Sequence, residues 1–167
     1  MNHIILIGFM GCGKSTIGKK LAANLALGFV DTDELIETQA HLSIAELFSE
    51  YGEAYFRGLE TLAVRQLHAC EERLVISVGG GLPVQPANRE YLKELGTIIY
   101  LTAEVDTLQK RLQKDTSRPL LQGENLEAKI RSLKASREAV YEEMAEVRIS
   151  TDEKEPDRIV EEIKSYV

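Results

Sequence analysis

The chain has 167 residues and 44% hydrophobic content, enough for one domain that buries roughly 70% of its unfolded surface without disulfides or structural metals. A formal net charge of −7 and a pI near 5.1 argue against a nucleic-acid or anionic-membrane partner, so an anionic ligand must be met by individually placed cations. Cys12 and Cys70 lack metal-ligand spacing, no apolar run approaches ~18 residues, and no basic leader opens the chain; the expectation is a cytoplasmic protein.

Residues 3–7, His-Ile-Ile-Leu-Ile, form a short apolar run rich in β-branched residues, as expected of a strand buried on both faces of a parallel sheet. Residues 8–15 follow as Gly-Phe-Met-Gly-Cys-Gly-Lys-Ser, which fits G-x-x-x-x-G-K-[S/T], the phosphate-binding P-loop. Glycines let successive N–H groups converge on phosphate oxygens, and the next helix adds the positive end of its dipole. That helix is expected from Ile17, Leu21 and Leu25, with Gly28 where its C-terminal cap would fall. Gly11, Cys12, Gly13, Lys14, Ser15 and Thr16 are therefore expected to bind a nucleoside triphosphate, with Lys14 on the β and γ phosphates and the Ser15 hydroxyl on Mg²⁺.

A second strand ends in Asp31-Thr32-Asp33, and strand ends are where ligands bind in a parallel sheet. Asp31 is a candidate partner of Mg²⁺. Asp33 either holds an acceptor hydroxyl or caps the helix that follows. Two short helices are expected over 34–40 and 44–51, the second opened by a Ser43/Glu46 capping box and stopped by Gly52. A longer helix over 53–70 places Phe56, Leu59, Ala63 and Leu67 on one face. Arg57 near its start is unfavourable with the dipole unless an anion lies close by.

A third strand over 74–78 delivers Gly79-Gly80-Gly81, which allows very close approach by a ligand or another backbone. A helix over 87–95, a strand over 97–101 and a helix over 105–113 carrying Arg111 come next. Residues 115–125 lose the apolar period and read either as an ordinary surface loop or as a lid with Arg118 at its tip, a device that keeps water from competing with an acceptor alcohol. A long helix over 126–145 carries Arg137 and Tyr141 one turn apart, a fifth strand covers 147–150, and Pro156 opens the last helix. Residues 152–155 read as a solvated loop.

The set as a whole resembles the shikimate kinase family, small relatives of the nucleoside monophosphate kinases, over essentially the full chain. Its carriers are Gly-Phe-Met-Gly-Cys-Gly-Lys-Ser-Thr at 8–16, Asp-Thr-Asp at 31–33, Glu-Ala-Tyr-Phe-Arg at 53–57, Gly-Gly-Gly at 79–81, Ser-Arg-Pro-Leu-Leu at 117–121, and Arg137 with Tyr141. The resemblance implies an α/β fold of three αβα layers, a P-loop NTPase of the nucleoside monophosphate kinase type with a five-stranded parallel sheet ordered 2-3-1-4-5. It implies one domain over 1–167, with a substrate-binding excursion at about 33–60 and a lid at about 113–125.

The activity implied is transfer of the γ-phosphoryl group of ATP, with Mg²⁺, to the 3-hydroxyl of shikimate in chorismate biosynthesis, by a monomer without nucleic-acid or membrane partners. By the same resemblance Lys14, Asp33 and Arg118 are catalytic, Ser15 and Asp31 serve the metal, and Asp33 hydrogen-bonds the shikimate hydroxyls, either as a base toward the accepting 3-hydroxyl or only to orient it. Arg57 and Arg137 bind the shikimate carboxylate, Gly79, Gly80 and Gly81 form a backbone platform, and Phe48 and Phe56 wall the pocket. Arg111 stacks on adenine, and the loop ending at Pro156 borders the base. Two features depart from the commonest pattern or merit note: His41 stands where many relatives have Gly, and Ser77 occupies the place of a Walker B acid, as is usual in the family. A gluconate or nucleotide kinase, a nucleotide-dependent switch and an inactive binding module are the rival readings; no Asn-Lys-x-Asp guanine motif supports the switch.

Overall fold

The computed structural model describes residues 2–113, 115 and 117–167. Five strands, β1 (His3–Ile7), β2 (Gly28–Asp31), β3 (Leu74–Ser77), β4 (Gly96–Thr102) and β5 (Val147–Ser150), form one parallel sheet in the order 2-3-1-4-5. All five residues of β1 and all four of β3 are buried, which explains why these strands are apolar apart from His3 and Ser77 at their ends. Among the described residues eight α-helices connect and flank the strands: α1 (Lys14–Leu25), α2 (Thr32–Ala40), α3 (Ile44–Tyr51), α4 (Glu53–His68), α5 (Pro86–Leu95), α6 (Val105–Leu112), α7 (Leu126–Met144) and α8 (Pro156–Lys164). Helix α1 packs on β2, β3 and α8, while α5 and α7 pack on β4, so both faces of the sheet are covered.

From β1 the chain goes out to the edge at β2, returns to β3, and only then crosses to β4 and β5. The order therefore reverses around β1 and β3, and a crevice opens beyond their carboxyl ends. The loop after β1, Asp31 at the end of β2 and Gly79 just after β3 all lie there. Asp31 stands opposite Ser77 in the β2–β3 register, fixing the acid against the strand that leads to the glycines.

Two apolar clusters hold the chain. The larger surrounds the sheet, and a smaller one joins Ile36, Leu47, Phe56 and Ala63 under α2, α3 and α4. Helix α3 begins with both halves of the Ser43/Glu46 capping box in place. The turn between α2 and α3 takes His41 through the left-handed region at φ 55°, a conformation histidine tolerates better than β-branched residues.

Helix α1 ends differently from the sequence expectation. Ala26, at φ 53°, is its left-handed cap, and the Leu27 N–H closes the turn on Ala22 O at 2.9 Å; Gly28 already belongs to β2. Alanine accepts the strained cap because the turn's hydrogen bonds and the immediate start of β2 hold it. Among the described residues no helix is long and apolar enough to cross a membrane.

Candidate active site

Two cavities meet at the crevice. The larger, of about 530 Å³, is lined by Gly11, Cys12, Gly13, Lys14, Ser15 and Thr16, and across from them by Arg111, Thr151, Lys154, Glu155 and Pro156. Gly11 and Gly13 have φ of 79° and 103°, a region open to glycine, which lets the loop wrap its amides around an anion. Lys14 is buried, and its ammonium donates to the carbonyls of Gly8 at 2.9 Å and Phe9 at 3.0 Å, so the loop itself holds the charge over the cavity. Arg111 donates to Gly11 O at 3.0 Å and to Thr151 Oγ1 at 3.3 Å, bridging the phosphate loop to the segment before α8.

At the floor of this cavity the Ser15 hydroxyl donates to Asp31 Oδ2 at 2.5 Å, while Asp31 Oδ1 accepts the N–H groups of Asp33 and Glu34. Asp31 is thus the N-cap of α2, and Asp33 lies inside the first turn with its carboxylate free for other work. The hydroxyl and carboxylate of Ser15 and Asp31 form a hard-oxygen pair beside the phosphate loop, the donor type that suits Mg²⁺ held mainly by a nucleotide and water. No cluster of three or more His, Cys, Asp or Glu that could hold a metal occurs among the described residues, in keeping with so lean a set.

The smaller cavity, of about 50 Å³, is lined by Phe48, Phe56, Arg57, Glu60, Gly79, Gly80, Gly81 and Arg137, with Pro119 and Leu120 above. The Phe48 and Phe56 rings meet at 5.0 Å between centroids and form an apolar wall. Each glycine lies against a different charge. A Cβ on Gly79 would stand 2.5 Å from Asp33 Oδ1, one on Gly80 3.2 Å from Arg137 Nη1, and one on Gly81 2.6 Å from Arg57 Cζ. None of the three has positive φ, so glycine is required for close approach rather than for an unusual backbone. Within the chain, what approaches most closely is the site's own charged side chains.

Asp33 and Arg118, together with Met10, Gly79 and Gly80, line both cavities. Arg118 Nη1 lies 3.2 Å from Asp33 Oδ2, and its Nε is 3.6 Å from Asp115. Burial pushes the Asp33 carboxyl above its ordinary range, as does the nearby charge of Asp31, with Arg118 and Lys14 pulling the other way. Among the described residues Asp33 Oδ1, Arg118 Nε and Arg137 Nη1 are buried with no hydrogen-bond partner, one acceptor and two donors beside the smaller cavity. Arg118 precedes a 3₁₀ turn over Pro119–Leu121; Lys114 and Thr116, which fall in the segment expected to be a lid, lie outside the described residues.

One residue of this site went unrecognised in the sequence. Glu60 is 1% exposed, takes Arg57 Nη1 at 2.8 Å and Gln85 Nε2 at 3.1 Å, and its carboxyl is pushed up to about 7 by burial, against the opposing pull of Arg57. Glu53 takes the other side of Arg57 at 3.0 Å. The chain thereby supplies acceptors of its own, Glu53 and the buried Glu60, for Arg57 near the start of α4. The signal was present: Glu60 falls on the buried stripe of Phe56, Ala63 and Leu67, where a charge needs a reason. Residues 152–155 are also more than a solvated loop, since Asp152 accepts the Glu104 N–H at 3.1 Å and Lys154 and Glu155 border the larger cavity.

A protein-family model described as shikimate kinase matches residues 10–167. The chain belongs to the shikimate kinase family. It is 42% identical over 167 residues to a shikimate kinase of Geobacter metallireducens, covering 100% of this chain and 92% of that protein. Among solved structures, it superposes on a shikimate kinase from Acinetobacter baumannii in complex with shikimate with a TM-score of 0.95 and 37% identity, over 99% of this chain and 92% of that one. A shikimate kinase from Aquifex aeolicus matches with a TM-score of 0.84 and 36% identity, over 98% and 94% of the two chains. Membership makes the chain an ATP-dependent kinase of the shikimate pathway.

Proposed function

We propose that the larger cavity holds ATP and the smaller one shikimate, and that the γ-phosphoryl group passes in line to the shikimate 3-hydroxyl to give shikimate 3-phosphate and ADP. The observation that carries this reading is the shared wall: Asp33 and Arg118 border both cavities, so a donor phosphate and an acceptor hydroxyl would meet at these two side chains. Lys14 leaves the carbonyls of its loop for the β and γ phosphates. Arg118 leaves Asp33 for the transferring group, where charge spreads over the equatorial oxygens. Mg²⁺, held by Ser15 and through Asp31, would supply charge neutralisation at the phosphates. Arg111 and the loop ending at Pro156 flank the base.

On the acceptor side, Arg57 and Arg137 take the carboxylate, and Phe48 and Phe56 bound the ring. Gly79, Gly80 and Gly81 form the platform, and Asp33 hydrogen-bonds the reacting hydroxyl. As the bond from the γ phosphorus to its bridging oxygen breaks and the bond to the 3-oxygen forms, the hydroxyl proton leaves late. Asp33 therefore works chiefly by orienting the hydroxyl. Residues 33–60 act in this reading as the substrate-binding excursion and 113–125 as the lid of a single-domain monomer in the cytoplasm. The test is ADP release measured with shikimate, gluconate and nucleoside monophosphates in parallel. Shikimate should be the active acceptor; activity confined to another would overturn the reading.

A further inference from the structure

Three consecutive glycines make the acceptor wall out of the backbone with most conformational freedom to lose, so something must hold them in place. Turn bonds from Leu82 N–H to Gly79 O at 3.0 Å and from Val84 N–H to Gly81 O at 3.2 Å secure the downstream side. Two hydroxyls secure the rest. Thr32 Oγ1 accepts the Gly79 N–H at 2.9 Å, and the Tyr141 O–H donates to Gly80 O at 2.6 Å. They arrive on different elements, Thr32 as the first residue of α2 and Tyr141 on α7 one turn after Arg137.

Both side chains are 0% exposed, and neither lines either cavity. Burial pushes the Tyr141 hydroxyl up to about 12, so it keeps its proton and remains a donor. The Gly80 and Gly81 amides, by contrast, have no partner among the described residues, and both glycines line the smaller cavity. The hydroxyls thus occupy the Gly79 donor and the Gly80 acceptor and leave two consecutive N–H groups open.

We propose that Thr32 and Tyr141 are positioning residues: they clamp the backbone of residues 79–81 so that the Gly80 and Gly81 amides receive oxygens of the acceptor, and they set acceptor affinity without touching the acceptor. This rests on the shikimate reading above. A purely structural role would lower stability and leave the acceptor dissociation constant alone.

The experiment compares Thr32→Val, Thr32→Ser and Tyr141→Phe with wild type in the intact protein. Shikimate and ATP affinity, steady-state KM and kcat, and amide exchange at Gly79 and Leu82 are all measured. Thr32→Val and Tyr141→Phe should each weaken shikimate binding about fivefold, the size of one lost neutral hydrogen bond, with the change in KM rather than kcat. ATP affinity should stay within about twofold, exchange should quicken, and Thr32→Ser should restore all of these. The clamp is overturned if folded Tyr141→Phe keeps both shikimate affinity and amide protection, or if Thr32→Ser is as impaired as Thr32→Val. Should Thr32→Val fail to fold, Tyr141→Phe decides, since it keeps the ring packed on Tyr100. If wild type does not bind shikimate, the functional reading fails, and exchange alone then judges the clamp.

Discussion

Gly81→Ala probes the acceptor carboxylate site, because the three atoms nearest its added methyl all belong to the Arg57 guanidinium. It would lie 2.6 Å from Arg57 Cζ and 2.7 Å from Nη2, and closer still to Nη1, where ordinary contact begins near 3.4 Å. The backbone does not object, since Gly81 is outside the positive-φ region. Arg57 must therefore retreat by close to an ångström from a position set by Glu60 at 2.8 Å and Glu53 at 3.0 Å. A guanidinium moved that far gives up its charge-assisted bond to a bound carboxylate. Such a bond is worth about 1.5–3 kcal/mol, so shikimate should bind roughly 10- to 150-fold more weakly. Gly80→Ala provides the internal comparison: its methyl sits 3.2 Å from Arg137 Nη1 and 3.3 Å from Tyr141 Oη, a few tenths too close to each, and should cost at most about fivefold. Calorimetric titration with shikimate and with an ATP analogue measures both. Unchanged shikimate affinity in Gly81→Ala, or an equal loss for the nucleotide, would refute the reasoning.

Two further outcomes follow from the charges. The Glu60 carboxyl, raised from 4.5 to about 7, holds a proton in the folded chain that the unfolded chain has released, so its contribution to stability is fully present below pH 4.5 and is lost as pH rises to 7. Glu60→Gln removes that dependence, and its stability relative to wild type should rise by about 3 kcal/mol between pH 4 and pH 8 in urea titrations; a flat difference would contradict the placement of the charge. Arg118→Ala should lower kcat by about 10³-fold or more, the scale of a lost arginine at a transferring phosphate. It should also move the acid limb of the kcat/KM profile upward, because Arg118 opposes the raised Asp33 pKa. A fall in kcat with that limb unmoved would separate Arg118 from Asp33.

The sheet was legible because its buried inner strands β1, β3 and β4 are mostly apolar, while the edge strand β5, Val-Arg-Ile-Ser, was bounded to the residue by the polar loops around it. The capping box of α3 was equally plain, being a local exchange of two hydrogen bonds within four residues. The end of α1 was not, since Ala26 takes a left-handed turn that its side chain does not advertise. In the site, the phosphate loop could be read because its chemistry is contiguous. Glu60 was half legible: its place on the apolar stripe of α4 and its i, i+3 spacing from Arg57 are local, but Gln85 reaches it only once α4 and the segment before α5 are packed together. The reason for three glycines was half legible: close approach followed from the residue type, but the charges of Asp33, Arg137 and Arg57 that do the approaching come from three separate helices.

The central claim is that the two cavities exchange a phosphoryl group between ATP and one particular hydroxyl. Following shikimate and ATP together by proton and phosphorus NMR in the presence of Mg²⁺ tests it most directly. ADP and a single phosphorylated product should appear in equal amounts, with the phosphorus coupled to the proton on carbon 3 of the ring. ADP formed without phosphorylated shikimate, or a phosphate coupled to another ring position, would contradict it.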